Sequence, residues 1–171
     1  MKKKSTLFLT QAAVIAALYV ALTYVSNALG LAYGAVQFRL SEILTVLPVF
    51  TPAAIPGLTI GCIIANLSSP FGIVDIICGS LATLLAAMSS YALRKKCFKG
   101  LPVISVIPPV LFNAVIIGLE IWALQGRTAE LFFVSAVEIA LGQLVMCVVA
   151  GLPFIRAVKR TGIFDKIGTS L

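Results

Sequence analysis

Gln37-Phe38-Arg39-Leu40-Ser41-Glu42 stands at the head of an apolar run that Pro48, Pro52 and Pro56 interrupt. Nearly everything nearby is hydrocarbon, so an arginine and a glutamate here need a reason. Proline lacks the backbone N–H and biases the residue before it away from helix. The run therefore divides at Thr51-Pro52 into two short helices, roughly Phe38–Phe50 and Pro52–Leu67. At about 1.5 Å per residue the first covers about 20 Å of a hydrocarbon core near 30 Å. Either extended residues complete the crossing or water enters from one side. Short, proline-broken apolar segments with ionisable residues are where a bilayer protein holds a ligand, and this stretch is read as one wall of such a site.

The chain around it is a membrane chain. Of its 171 residues 60% are hydrophobic and 11% charged, and the mean hydropathy is +1.10; soluble domains carry about 25% charge. At about 20 residues per crossing the length is used up by one bundle, so residues 1–171 are read as a single membrane domain with no soluble domain beside it. The net charge of +7 does not signal nucleic acid. Eleven of the thirteen basic residues fall in three clusters, Lys2-Lys3-Lys4, Arg94-Lys95-Lys96 with Lys99, and Arg156, Lys159, Arg160 and Lys166, each flanking an apolar segment. That is the positive-inside pattern. The N-terminus looks like a signal peptide, but the run Leu7–Leu29 is too long for an h-region of about 7–15 residues and is read as an uncleaved first span. The four cysteines form no C-x-x-C and read as packing residues; with no histidine, most zinc sites and His-based triads are excluded.

The expected fold is all-α, a bundle of six transmembrane helices with both termini inside. Span 1 covers roughly Ser5–Leu29, with Ala13, Ala17 and Ala21 at helical spacing and Thr23 and Asn27 as a polar stripe. Spans 2 and 3 are the short pair. Span 3 carries Thr59, Cys62 and Asn66 on one face and Gly57, Gly61 and Ala65 on another. Span 4, Ile73–Leu93, sets Asp75, Gly79, Ala82 and Ala86 on one face. Span 5 begins near Leu101 and is interrupted by Pro108-Pro109; Asn113, Ile117 and Glu120 share a face. Span 6 runs roughly Ala129–Ile155, with Ser135, Glu138 and Gly142 together and a kink at Pro153. No internal repeat is evident.

With the N-terminus inside, the polar groups fall at one depth. Glu42 and Asp75 open spans from the outside, Glu120 closes one toward the outside, and Glu138 lies about two turns in. Arg39, Asn66 and Asn113 complete an outward-facing ring. An ionisable group at a helix centre costs about 2.5–3.5 kcal/mol on insertion scales, so such groups persist when they pair, face water or bind something. Glu42 and Asp75 sit at helix starts, where the helix dipole already favours an anion. Glu120 and Glu138 have no such excuse.

The run from Val36 to Gly57, with Gly61-Cys62, Ala65-Asn66, Asp75-Ile76 and Gly79-Ser80-Leu81-Ala82-Thr83, resembles the QueT family. The resemblance covers essentially the whole chain and is densest over Val36–Ala87. It implies a six-helix substrate-binding (S) component of an energy-coupling factor (ECF) transporter, taking a queuosine precursor, a 7-deazaguanine such as preQ1 or preQ0, from outside. It implies as partners the coupling protein EcfT and two cytoplasmic ATPases, no cofactor, and a role for Ala13 and Ala17 as the A-x-x-x-A surface presented to EcfT. The chain itself has no G-x-x-x-x-G-K-[ST] for binding ATP. A deazaguanine suits the residues present: a carboxylate accepts from N1–H and the exocyclic amine, Asn66, Asn113 or Arg39 donates to its carbonyl, and Tyr24, Tyr33 or Phe38 offers a ring. The loop Gly30–Gln37 is expected to close over the substrate. The alternatives are an S component for another vitamin or nucleobase, an intramembrane enzyme working through carboxylate pairs, and an assembly subunit without ligand.

Overall fold

The prolines and glycines picked out above decide how the chain is cut. In a computed structural model, which describes residues 2–32, 37–98 and 101–166, α1 (Lys2–Ala28) is followed by a 3-10 helix over Leu40–Val49. Next come α2 (Ala54–Ala65) with a 3-10 turn Asn66–Ser68, and α3 (Ile73–Leu93). A 3-10 turn Val103–Val106 leads into α4 (Ile107–Gln125). Then α5 (Ala129–Leu144) passes through a π-helical turn (Val145–Ala150) into α6 (Gly151–Thr161), and α7 (Ile163–Lys166) follows. Four helical stretches are long and apolar enough to cross a membrane: Lys4–Ala28, Ile73–Leu93, Val103–Gln125 and Ala129–Thr161; Leu40–Val49 and Ala54–Ser68 are shorter. Tyr33–Val36, the middle of the expected closing loop, lie outside the described residues.

Three local expectations change. The second segment is not an α-helix but a ten-residue 3-10 coil containing Pro48. At about 2.0 Å per residue it reaches about 20 Å, where an α-helix of that length reaches about 15 Å. Pro108 and Pro109 do not interrupt a helix; they occupy the first turn of α4, where no N–H is needed. The last span does not stop near Ile155 but continues to Thr161. The missing N–H of Pro153 is accommodated by the π turn just before it.

The bundle buries polar groups within its apolar core and turns large apolar side chains outward. Thr23, Ser41, Glu42, Thr51, Asn66 and Asp75 are buried, while Leu9, Leu67, Ile73, Phe133 and Val149 are more than 60% exposed. In hydrocarbon an exposed leucine costs nothing and a polar group needs an internal partner. Small residues bring α1 and α2 together. A Cβ on Gly57 would lie 2.8 Å from the Ala12 carbonyl oxygen, and one on Gly61 2.8 Å from Tyr19 Cβ. The two helices therefore run side by side in the same direction, with Ala12 and Ala16 buried and Ala13, Ala17 and Ala21 facing out. The 3-10 helix runs back along α1: Ser41 meets Thr23, Glu42 meets Tyr19, and Thr51 meets Gln11. The π turn lies behind it, where Thr45 and Cys147 are 3.4 Å apart. At the end marked by Thr51, Phe50 stacks on Phe164 at 5.0 Å between centroids, and Leu101 lies beside Arg156. Among the described residues Lys4, Arg94, Arg156 and Arg160 thus lie toward that end, and Arg39, Glu42 and Asp75 toward the other.

Overpacking a tight helix contact costs about 1–3 kcal/mol. Gly61→Val is expected to lower the Tm of the detergent-solubilised protein by that equivalent, and Ala13→Val on the exposed face to leave it within about 0.5 kcal/mol. Equal tolerance at the two positions, in thermal melts followed by circular dichroism, counts against this packing of α1 on α2.

Candidate functional site

Arg39 is in extended backbone just before the 3-10 helix, and its side chain turns into the bundle. Its Nε donates to the Ala32 carbonyl at 3.1 Å, one Nη donates to Asn66 Oδ1 at 3.3 Å, and the other lies 3.6 Å from Asp75 Oδ2. One guanidinium therefore ties the segment after α1, the end of α2 and the start of α3. Asn66 is oriented by its other side: its amide donates to the Asp75 carbonyl at 3.0 Å. The turn that allows this passes through Gly72, whose φ of +65° favours glycine. Gly79 clears the space, since a Cβ there would lie 2.5 Å from Asn66 Nδ2. Arg39, Asn66 and Asp75 are buried at 7%, 1% and 1%.

A second arm comes from α1. The Tyr19 hydroxyl donates to Glu42 Oε1 at 2.7 Å, Thr23 Oγ1 donates to Ser41 Oγ at 2.8 Å, and Ser26 Oγ accepts from the Leu40 N–H at 2.8 Å. The 3-10 helix is thus pinned along its first turn. Behind it, Thr45 donates to the Glu42 carbonyl at 2.6 Å, Cys147 contacts the Gln143 amide oxygen at 3.3 Å, and Gln143 interacts with the Glu42 carboxyl. Glu42 Oε2 has no hydrogen-bond partner among the described residues.

The third member is Glu120 on α4. It is 3% exposed, and neither of its carboxyl oxygens has a hydrogen-bond partner among the described residues. Asp75 and Arg39 are its electrostatic neighbours. Three buried carboxyl groups therefore share one guanidinium. A buried acceptor without a donor is costly, and a group bringing donors of its own would relieve that cost. Among the described residues no group of three His, Cys, Asp or Glu side chains is arranged to hold a metal ion.

The remaining candidates are placed differently. Asn113 is buried but donates to the Pro109 carbonyl of its own helix at 2.9 Å. Glu138 is half-buried, and no described contact joins it to the cluster. Ala13 and Ala17 lie on the outer face of α1. Of the rings considered for stacking, Tyr24 is 45% exposed on the bundle's outside, Phe38 is half-buried, and Tyr33 is outside the described residues. The polar stripe of α1 is Tyr19, Thr23 and Ser26, all buried, while Asn27 is exposed. Tyr19 and Gln143 are the site residues that the sequence does not single out. The spacing of Tyr19 from Thr23, four residues along one helix face, is the signal that points to it.

The chain matches a known transporter family. The family model described as QueT, the QueT transporter, matches residues 9–160. The queuosine precursor transporter QueT of Lactococcus lactis subsp. cremoris (strain MG1363) is 44% identical over 85 residues, half of this chain and half of that protein. The match thus spans only about half the length of that relative. No solved structure matches the chain. With four long apolar helices around a buried polar centre, and a family match running through every one of them, the chain is a multi-pass membrane protein that belongs to the QueT transporter family.

Proposed function

We propose that the chain is the substrate-binding subunit of an ECF-type importer and captures a queuosine precursor, a 7-deazaguanine of the preQ1 or preQ0 kind, from outside. In this reading the short 3-10 helix and α2 complete six crossings with both termini inside, and residues 1–171 act as one membrane domain. The bundle carries no nucleotide-binding motif of its own. Energy comes from two cytoplasmic ATPases through the coupling protein EcfT, which docks on the outer face of α1 at Ala13 and Ala17.

The observation that carries this reading is the unmatched acceptor set: both oxygens of Glu120 and Oε2 of Glu42, buried beside Asp75. A deazaguanine supplies what they lack. Its N1–H and exocyclic amine form a two-donor edge that suits Glu120, as a carboxylate accepts from base edges elsewhere. The ammonium arm of preQ1 suits Glu42 or Asp75. The ring carbonyl suits Arg39 or Asn66, and Asn113 and Glu138 flank the same depth. Tyr19 and Phe38 replace Tyr24 as the available rings.

The direct test is native mass spectrometry of the purified protein, expected to show a co-purifying mass of a 7-deazaguanine. A vitamin there instead establishes an S component for other cargo. Turnover of a lipid or peptide by the chain alone establishes the enzyme reading.

Three variants follow from the geometry. Glu120→Gln keeps the shape but turns an acceptor into a donor; a charge-assisted hydrogen bond is worth about 1.5–3 kcal/mol, so preQ1 affinity measured by calorimetry should fall about tenfold or more. Unchanged affinity removes Glu120 from the site. Gly79→Ala pushes on Asn66 and meets Asp75 Oδ1 only at an ordinary contact distance of 3.5 Å, and affinity should fall while the protein stays folded; full binding in a folded variant means that the Asn66 orientation is irrelevant. Ala13→Leu with Ala17→Leu should leave ligand binding intact and abolish co-purification with EcfT. Normal complex yield would place docking elsewhere.

A further inference from the structure

At the basic end of the bundle a groove of about 590 Å³ runs between Leu101 and the last helix. Its wall is Val148, Val149, Leu152, Pro153 and Ala157, and its mouth holds Arg156 and Arg160. The groove owes its shape to the π turn. Val148 and Val149 belong to that turn, which widens the helix there, and Pro153 follows it without an N–H to donate. Val149 is 68% exposed, so the wall is continuous with the apolar exterior of the bundle. Arg156 and Arg160 stand one helical turn apart, on the same face. Both are exposed, and neither makes a hydrogen bond or ion pair with the described residues. Among the described residues no acidic side chain lines the groove.

We infer that this groove is a binding site for an anionic phospholipid. The phosphodiester sits between the two guanidiniums, whose donor forks match phosphate oxygens, and one acyl chain lies along Val148, Val149 and Leu152. Two features favour a lipid over a soluble anion. The cationic mouth opens directly onto the hydrocarbon-facing surface, and the groove is far longer and more apolar than a free phosphate needs. Basic pockets at the ends of membrane helices recognise anionic headgroups in this way. Charge selects the lipid class: a zwitterionic headgroup brings its own cation against the two arginines. The inference stands on the groove alone and holds whatever the substrate at the opposite end.

The test is native mass spectrometry of the detergent-purified, delipidated full chain, titrated with phosphatidylglycerol and, separately, with phosphatidylcholine. Phosphatidylglycerol is expected to bind at least about tenfold more tightly, and the difference should shrink as salt is raised. Arg156→Gln with Arg160→Gln should remove the preference, whereas Lys2→Gln with Lys3→Gln and Lys4→Gln should keep it. As a check on folding, thermal melts of the variants are run in parallel, and Leu152→Trp, which fills the wall and leaves both arginines, should weaken phosphatidylglycerol as well. Equal binding of the two lipids overturns the proposal, as does a folded double-arginine variant with an undiminished preference. So does full competition by inorganic phosphate at millimolar concentration, which would make the mouth a plain anion site.

Discussion

The buried guanidinium of Arg39 is the constraint on which the half of the bundle around Glu42 and Asp75 depends. A charge inside a membrane protein has to be matched locally, and this one is matched by groups from three separate places: the Ala32 carbonyl, Asn66 and Asp75. Asn66 closes α2, Gly72 turns the chain, Gly79 leaves the clearance, and Asp75 opens α3. The small-residue face of α3 follows from the same demand, because a bulky side chain one turn below Asp75 would push Asn66 away.

The 3-10 helix is held from two sides by different chemistry. Toward α1 the contacts are hydroxyls, from Tyr19, Thr23 and Ser26. Toward the π turn and the start of α6 they are the thiol of Cys147 against Thr45, the Gln143 amide against Glu42, and the close approach of Val46 to Gly151. Helix α1 therefore carries three roles on three faces. Ala12 and Ala16 receive the glycines of α2, Tyr19 and Thr23 hold Glu42 and Ser41, and Ala13 and Ala17 stay on the surface.

What could be read in advance was whatever repeats at 3.6 residues. Asp75, Gly79, Ala82 and Ala86 share a buried face as expected, and so do Asn113, Ile117 and Glu120. Periodicity fixes a face but not a partner. The carboxyl that pairs with Arg39 lies on another helix, and only the turn at Gly72 brings it there. Nor does periodicity separate a 3-10 coil from a short α-helix over ten apolar residues, since the two periods diverge too slowly. Tyr19 is inconspicuous in the sequence because its neighbours are all apolar; burial and a carboxylate give it meaning. Glu138 marks a different limit. Position along the helix gives its depth, while its half-buried setting off the cluster depends on how α5 is rotated.

The ten-residue 3-10 coil has a geometric consequence for the bundle. It differs from an α-helix by about 0.5 Å of rise per residue. One end is fixed at Thr51 against Gln11, the other carries Arg39 and Glu42. As a 3-10 coil it sets Arg39 and Glu42 about 5 Å further from Thr51 than an α-helix of ten residues would.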